Sequence, residues 1–298
     1  MSNVEPRFGR LITAMVTPFN DERELDLDRA QALATRLIEG GNDSLIINGT
    51  TGESPTVFYP QKIELFRAVV EAVGGKAPVI ANVGDNCTAD TVDFAKDVAK
   101  LGVDGFMCVV PYYNKPPQEG MYQHFKTIAD AVELPIILYN IPGRCVVNME
   151  AETTLRLAND CENIIAVKEA SGKMDQIATI AAAAPEGFSV YSGDDSATYD
   201  IMRLGGAGVI STTGNVAPER MKELVTKCAE GKWDEAWAAH EALLPLMNGL
   251  FETSNPILVK EALKLVGFSV GGVRLPLIDA TAEQSARLAS IMREVGVL

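Results

Sequence analysis

The sequence predicts a (β/α)8 TIM barrel, because eight short apolar runs alternate with helical patterns from near the first residues. The runs are almost continuously apolar, which is typical of parallel strands covered by helices and not of strands with one face in water. A barrel of this type usually takes about 250 residues, and the chain has 298. An open doubly wound sheet is the alternative, but no G-x-G-x-x-G motif follows the first run.

The apolar runs define the predicted strands, which are bounded by helical patterns with recognisable ends. One helix opens at Pro60 and stops at Gly74-Gly75, and the next has Thr88 as its predicted N-cap. In chain order the predicted strands are Leu11–Val16, Ser44–Asn48, Pro78–Val83, Gly105–Val110, Pro135–Asn140, Ile164–Lys168, Ser189–Gly193 and Gly208–Thr212.

The strand pattern ends near Trp233, and three helical patterns follow it. These are WDEAWAAHEALLPLMNGLF, NPILVKEALKLVG and TAEQSARLASIMREVG. The sequence therefore predicts two parts: a catalytic barrel over residues 1–231, and a C-terminal helical domain over 232–298 that forms a smaller domain or an oligomer surface.

Composition limits the class of partner. The net charge of −14 argues against nucleic-acid and anionic membrane partners, since either needs a basic surface. No apolar run approaches the roughly 20 residues that span a bilayer. The five cysteines form no CxxC pair, and the start, MSNVEPRFGR, has no apolar signal-peptide core. These features predict a cytoplasmic protein with reduced thiols, in which local cations or backbone amides bind any anionic ligand.

In barrels of this type the active site lies where the strands end, and the residues at those ends are polar, aromatic or glycine-rich. Both histidines, His124 and His240, fall instead in helical patterns, which argues against histidine catalysis and against a histidine-bound metal. Asp194-Asp195 is typical of a helix cap more than of a metal site. The strand-end candidates are Thr17, Asn48, Asn82, Pro111, Tyr112, Tyr113, Tyr139, Asn140, Lys168, Glu169, Gly193, Ile210 and Ser211.

Lys168 ends the apolar strand IIAV and is either a solvated cation at the barrel rim or a working amine. At a pKa of about 10.4, only about one amine in a few thousand is neutral at pH 7. Lowering the pKa to about 7–8 disfavours the charged form by roughly 4 kcal/mol. Partial burial and a nearby cation such as Arg144 would act in that direction.

Two further segments offer groups that bind carboxylates. GTTGES, Gly49 to Ser54, is either a plain βα turn with a helix cap or a nest of amides and hydroxyls. In YNIPGR, Tyr139 and Arg144 flank a proline and a glycine. This rigid turn could direct both side chains to one pocket.

Six motifs occur together in the order and spacing of a known family, the pyruvate-dependent class I aldolases that include N-acetylneuraminate lyase. The chain resembles this family over essentially its whole length, including the C-terminal helices. Thr50-Thr51 and Arg144 favour the synthase branch over the sialic acid lyases, whereas Cys145, where threonine is common, is a mild departure. The motifs are GTTGES, PYYNKP, YNIPGR, VKEASG, SGDD and GVIST.

The resemblance implies a role for each matching residue. Lys168 matches the Schiff-base lysine that condenses with pyruvate, and Tyr139 matches the general acid/base beside it. The relay partners are Thr50 and Tyr113, the latter donated by the neighbouring subunit of a tight dimer. Matches to substrate-binding positions are Thr51 for the pyruvate carboxylate, Arg144 for the carboxylate of aspartate semialdehyde, and the Gly193 and Ile210 backbones, which line the pocket.

The expected reaction joins pyruvate to aspartate semialdehyde in lysine biosynthesis, through a covalent lysine–pyruvate imine and without a cofactor or metal. Two alternatives stay open: a sister aldolase that acts on a sugar acid or 4-hydroxy-2-oxoglutarate, and a non-catalytic protein that binds an oxo acid. The resemblance also implies a homodimer or a homotetramer built from two dimers.

Many family members are inhibited by lysine at the dimer interface. Lys62 stands where lysine-sensitive members tend to carry histidine or glutamate, and Asp90 only partly compensates its charge. We therefore expect weak or absent inhibition. The positions that correspond to this effector site are Ser54, Pro55, Tyr59, Lys62, Asn86, Asp90 and Tyr112.

Overall fold

The computed structural model describes residues 5–298 and has a closed barrel of eight parallel strands at its centre. Each strand pairs with the next along the chain, and β8 pairs with β1 to close the ring, with Ile12 opposite Ile210. The predicted (β/α)8 barrel is confirmed. The strands are β1 Leu11–Ala14, β2 Ser44–Ile47, β3 Val79–Asn82, β4 Gly105–Val109, β5 Ile136–Asn140, β6 Ile164–Glu169, β7 Ser189–Ser192 and β8 Gly208–Ser211.

Helices surround the barrel, and three more follow the last strand–helix unit, as the sequence predicted. They are α1 Leu27–Glu39, α2 Tyr59–Val73, α3 Thr88–Val98, α4 Gln118–Ala131, α5 Pro142–Cys145, α6 Ala151–Asp160, α7 Met174–Ala183, α8 Thr198–Arg203, α9 Pro218–Ala229, α10 Trp233–Gly249, α11 Ile257–Leu265 and α12 Ala282–Glu294.

The structure shows whether the residues predicted to begin and end two helices do so. Pro60 lies in the first turn of α2, and Gly74 ends that helix in the left-handed region at φ 56°. The prediction that Thr88 caps α3 was wrong, because Thr88 is the first helical residue and the extended Cys87 precedes it. The Thr88 hydroxyl lies 2.9 Å from Nδ1 of His124 on α4 and so links two helices.

Two glycines of the segment LGGAGV, residues 204–209, allow close packing. A Cβ on Gly206 would lie 2.8 Å from the carbonyl oxygen of Ile201, and one on Gly208 would overlap the carbonyl of Arg10. This segment therefore lets α8 and β1 approach β8 closely.

Buried apolar residues form two layers. An inner layer fills the barrel and includes Ile12, Ile46, Ile137 and Ile210, while an outer layer joins the strands to the surrounding helices. Leu243 of α10 belongs to the outer layer, so the C-terminal helices pack into the barrel's own core. The division at residue 231 stays a prediction.

All five cysteines are free thiols, in agreement with the sequence. Across the described residues, no helix combines the length and the apolar character that a bilayer crossing needs.

Candidate active site

Lys168 lies inside the barrel at the carboxyl end of β6. Successive side chains of a strand point to opposite faces. Lys168 therefore faces the barrel interior with Ala166, whereas Val167 packs against the helices. Only 6% of Lys168 is exposed, and its Nζ lies 4.4 Å from the centroid of the Tyr139 ring on β5. The alternative of a solvated rim cation is therefore not supported.

The environment of Lys168 favours the neutral amine. The pKa of Lys168 is lowered from an ordinary value near 10.5 to about 8, mainly by burial and also by Arg144, against the opposing influence of Asp195 and Asp194. With a pKa near 8, about one amine in ten is neutral at pH 7. Both predicted causes, burial and Arg144, are present, while the nucleophilic role stays a prediction.

Tyr139 faces Lys168 as a protonated phenol. Burial raises its pKa well above the ordinary range, and the opposing influence of Arg144 and of the Thr50 hydroxyl does not cancel this shift. Tyr139 is also opposite Lys168 in the β5–β6 pairing. A phenol that keeps its proton at neutral pH, beside an amine that loses its proton easily, is suited to general acid catalysis.

Thr51 is buried and is held by side chains from two distant segments. The amide Nδ2 of Asn255 donates to its Oγ1 at 2.9 Å, and the Thr212 hydroxyl lies 3.4 Å from the same oxygen. Asp195 in turn accepts hydrogen bonds from the backbone amides of Thr212 and Thr213 at 3.0 and 2.8 Å. Sequence reasoning missed Asn255 and Thr212, since only the fold brings them to Thr51.

The two aspartates after β7 have different roles. Asp194 accepts a hydrogen bond from the amide of Ser196, which confirms the predicted cap. Asp195 is instead buried against the loop after β8. Among residues 5–298, no three His, Cys, Asp or Glu side chains form a group that could hold a metal ion, and the absence of a metal stays a prediction.

Arg144 lies on the short helix α5, which begins with Pro142 directly after β5. It lines a cavity of about 440 Å³ together with Thr50 and Tyr139. Its Nη2 lies 3.5 Å from the carbonyl oxygen of Asn255. The YNIPGR turn therefore brings a phenol and a guanidinium to one pocket, as predicted.

Gly193 directly follows β7 and Ile210 is the last residue but one of β8, so both are near the carboxyl ends of the strands. The amide of Gly193 donates to the carbonyl of Glu169 at 2.7 Å, and a Cβ at this position would lie 2.7 Å from that of Ala170. Ile210 belongs to the inner layer with Tyr139. Their roles in binding stay predictions.

Tyr113 does not enter the cavity of its own chain. It is 87% exposed and has a φ of 74°, an uncommon conformation for a bulky residue. The loop around it is ordered by hydrogen bonds, in which the side chains of Asn86 and Asn114 donate to the carbonyls of Tyr112 and Asn86 at 3.1 and 2.9 Å. The loop thus directs the Tyr113 phenol away from its own barrel.

The residues predicted for an effector site surround a second cavity of about 380 Å³ that adjoins the first. Ser54 and Lys62 line both cavities, Tyr59 and Asp90 line the second, and Pro55 and Tyr112 line the first. Asn86 contacts this group through the carbonyl of Tyr112. Sequence reasoning missed Asp85, which lines both cavities, and Asp93, which lines the second.

Comparison with known proteins shows the family of this chain. Residues 7–295 match the model of the dihydrodipicolinate synthetase family. The chain belongs to this family. It is 53% identical over 292 residues to the 4-hydroxy-tetrahydrodipicolinate synthase of Moorella thermoacetica, an alignment that covers 98% of this chain and 100% of the relative.

Solved structures agree with this assignment to the dihydrodipicolinate synthetase family. The crystal structure of DHDPS from Cyanidioschyzon merolae with lysine bound superposes with a TM-score of 0.97 at 45% identity, over 99% of this chain and 100% of that one. A monomeric dihydrodipicolinate synthase variant has a TM-score of 0.95 at 42% identity, over 97% of each chain.

Proposed function

We propose that this protein is a 4-hydroxy-tetrahydrodipicolinate synthase, a lyase that condenses pyruvate with L-aspartate 4-semialdehyde in the diaminopimelate route to lysine. The observation that carries this proposal is the buried Lys168 amine beside the Tyr139 ring, next to a cavity lined by Arg144. The names of relatives at about half identity over nearly the whole chain support it.

The proposed reaction begins at the neutral amine of Lys168, which attacks the ketone carbon of pyruvate. Loss of water gives an imine, and loss of a proton from the pyruvate methyl group gives an enamine. Tyr139 and Thr50, with Tyr113 of a second subunit, carry the protons. The hydroxyl and amide of Thr51 hold the pyruvate carboxylate, and the chain needs no cofactor for these steps.

The enamine carbon then attacks the aldehyde carbon of the semialdehyde, whose carboxylate pairs with Arg144. The amine of the new product attacks the imine carbon and closes the ring. This step releases Lys168 as the free amine. Every covalent bond to the enzyme is therefore made and broken at one nitrogen.

Pyruvate consumption by the purified protein tests the proposal when aspartate semialdehyde, sugar aldehydes or no aldehyde is supplied in parallel. We expect rapid loss of pyruvate only with aspartate semialdehyde. Loss only with another aldehyde would keep the lysine chemistry and make the protein a sister aldolase. No loss with any aldehyde would favour the non-catalytic binder.

The proposed assembly is a tight dimer, or a tetramer of two such dimers. The exposed position of Tyr113 supports it, because the proton relay then needs the phenol of a second chain. A cytoplasmic location, and the lack of nucleic-acid and membrane partners, stay predictions from the charge of the chain.

Free lysine is expected to inhibit this protein weakly or not at all. Lys62 lines the same cavity as Tyr59 and Asp90, and burial lowers its pKa against the opposing influence of Asp85. A second ammonium at about 4 Å costs on the order of 1 kcal/mol or more. We expect most of the activity to persist at millimolar lysine.

The matched variant Lys62→His should become more sensitive, because a neutral imidazole removes this repulsion at pH 8. Inhibition constants for the parent and the variant, measured at fixed pyruvate, check the prediction. Near-complete inhibition of the parent by sub-millimolar lysine would contradict it.

A further inference from the structure

Glu53 is a buried carboxylate at the end of the loop that carries Thr50 and Thr51. Its backbone is left-handed at φ 55°, and its amide donates to the carbonyl of Thr50 at 3.1 Å. Its side chain is almost fully buried. A bulky residue in this conformation persists only where its surroundings hold it there.

Lys260 of α11 is the ionic partner of Glu53. Its Nζ lies 2.6 Å from Oε1 of Glu53 and donates to the carbonyl of Gly272 at 2.8 Å. The same ammonium lies 4.2 Å from the centroid of the Phe19 ring. With its side chain only 2% exposed, Lys260 cannot exchange this partner for water.

Arg274, in the segment between α11 and α12, completes the cluster. Its amide donates to Oε2 of Glu53 at 2.9 Å, while Oε1 forms the ion pair with Lys260. Its guanidinium donates to the carbonyl of Thr56 at 2.7 Å and to Oε1 of Gln61 at 2.9 Å. Arg274 therefore binds the residues that follow Glu53 in the chain, whereas Thr50 precedes Glu53.

Net stabilisation does not account for this ion pair. Two buried charges lose their hydration, and apolar residues of similar volume often stabilise a protein as well or better. What the cluster does supply is orientation, because the Lys260 ammonium and the backbone amide of Arg274 each contact one oxygen of the Glu53 carboxylate. The residue so fixed is three positions from Thr50.

We propose that Glu53, Lys260 and Arg274 are positioning residues for pyruvate, through which the C-terminal extension sets the geometry of Thr50 and Thr51. This inference rests on the proposed function, in which those two threonines carry the proton relay and hold the pyruvate carboxylate. These three residues then act on the first substrate and not on the second, since Glu53 belongs to the loop of Thr50 and Thr51 whereas Arg144 lies on a separate loop after β5.

The variant Lys260→Met in the full-length chain tests the inference by steady-state kinetics. We expect the KM for pyruvate to rise about fivefold or more and kcat to fall, with the KM for aspartate semialdehyde within about twofold of the parent. The matched control is Lys264→Met on the same helix, since Lys264 is exposed and forms its ion pair with Glu261, not with Glu53. This control should keep all three constants.

A purely structural role predicts a different result. Lys260→Met would then lower kcat in proportion to the folded fraction and leave the KM for pyruvate unchanged, and this outcome refutes the inference. If Lys260→Met does not fold, Glu53→Gln, which keeps the length of the side chain, must show the same selective rise in the pyruvate KM. Failure of the proposed function itself would appear separately, as a parent protein without turnover.

Discussion

Replacement of Lys168 with alanine is expected to abolish turnover, with kcat falling by about 10⁴-fold or more. The reason is chemical, because an imine needs a primary amine and, within residues 5–298, only the Lys168 amine lies over the Tyr139 ring. The fold should persist, since the buried charge of Lys168 is disfavoured by about 3 kcal/mol relative to its ordinary environment. Product formation and the thermal unfolding midpoint check both parts.

Lys173→Ala is the matched control, since Lys173 is an exposed lysine five positions along the chain, directly before α7. It should keep the activity of the parent. Borohydride reduction in the presence of pyruvate should add one reduced pyruvyl group to the parent and to Lys173→Ala, and none to Lys168→Ala. An active Lys168→Ala protein would remove the basis of the imine mechanism.

The pH dependence of imine formation belongs to the same prediction. The reactive form is the neutral amine, and the pKa of Lys168 is lowered to about 8. The rate of trapping should therefore rise about tenfold for each pH unit below 8 and level off above it. An inflection near the ordinary lysine value would mean that burial does not tune this amine.

The sequence could predict the barrel because parallel strands are buried on both sides and appear as continuous apolar runs. The end of each apolar run also marks the end of a strand. Lys168, Tyr139 and Thr51 lie at or just after such ends, so they could be assigned to the carboxyl end of the barrel. Of the predictions that rested on helix-end signals, the cap at Thr88 was wrong. Thr88 has the chemistry of an N-cap, yet its hydroxyl bonds His124.

Lys260 shows what periodicity cannot reveal. In the pattern NPILVKEALKLVG it resembles a helical lysine in water, as Lys264 is. Its burial depends on Glu53 and Phe19, which come from the first strand–helix units of the barrel. Lys168 and Lys260 share a lowered pKa of about 8, but only Lys168 lies at the end of a predicted strand.

Tyr113→Phe is expected to lower kcat by about 10²-fold, because it removes one hydroxyl from the proton relay. If the phenol serves a second chain, as its exposure indicates, Tyr113→Phe and Lys168→Ala damage opposite halves of one site. A dimer with one chain of each kind then keeps one complete site, which combines Lys168 of one chain with Tyr113 of the other.

Coexpression of the two variants in equal amounts measures this directly. Random pairing makes half of the dimers mixed, each with one of its two sites intact, so about one quarter of the parent activity should return. A chain that carries both substitutions is the control and should contribute nothing when it is coexpressed with either single variant. If Tyr113 instead served its own chain, every site in the mixture would lack either the amine or the phenol. Activity would then stay at the level of Tyr113→Phe or below, and the dimer would not be needed for catalysis.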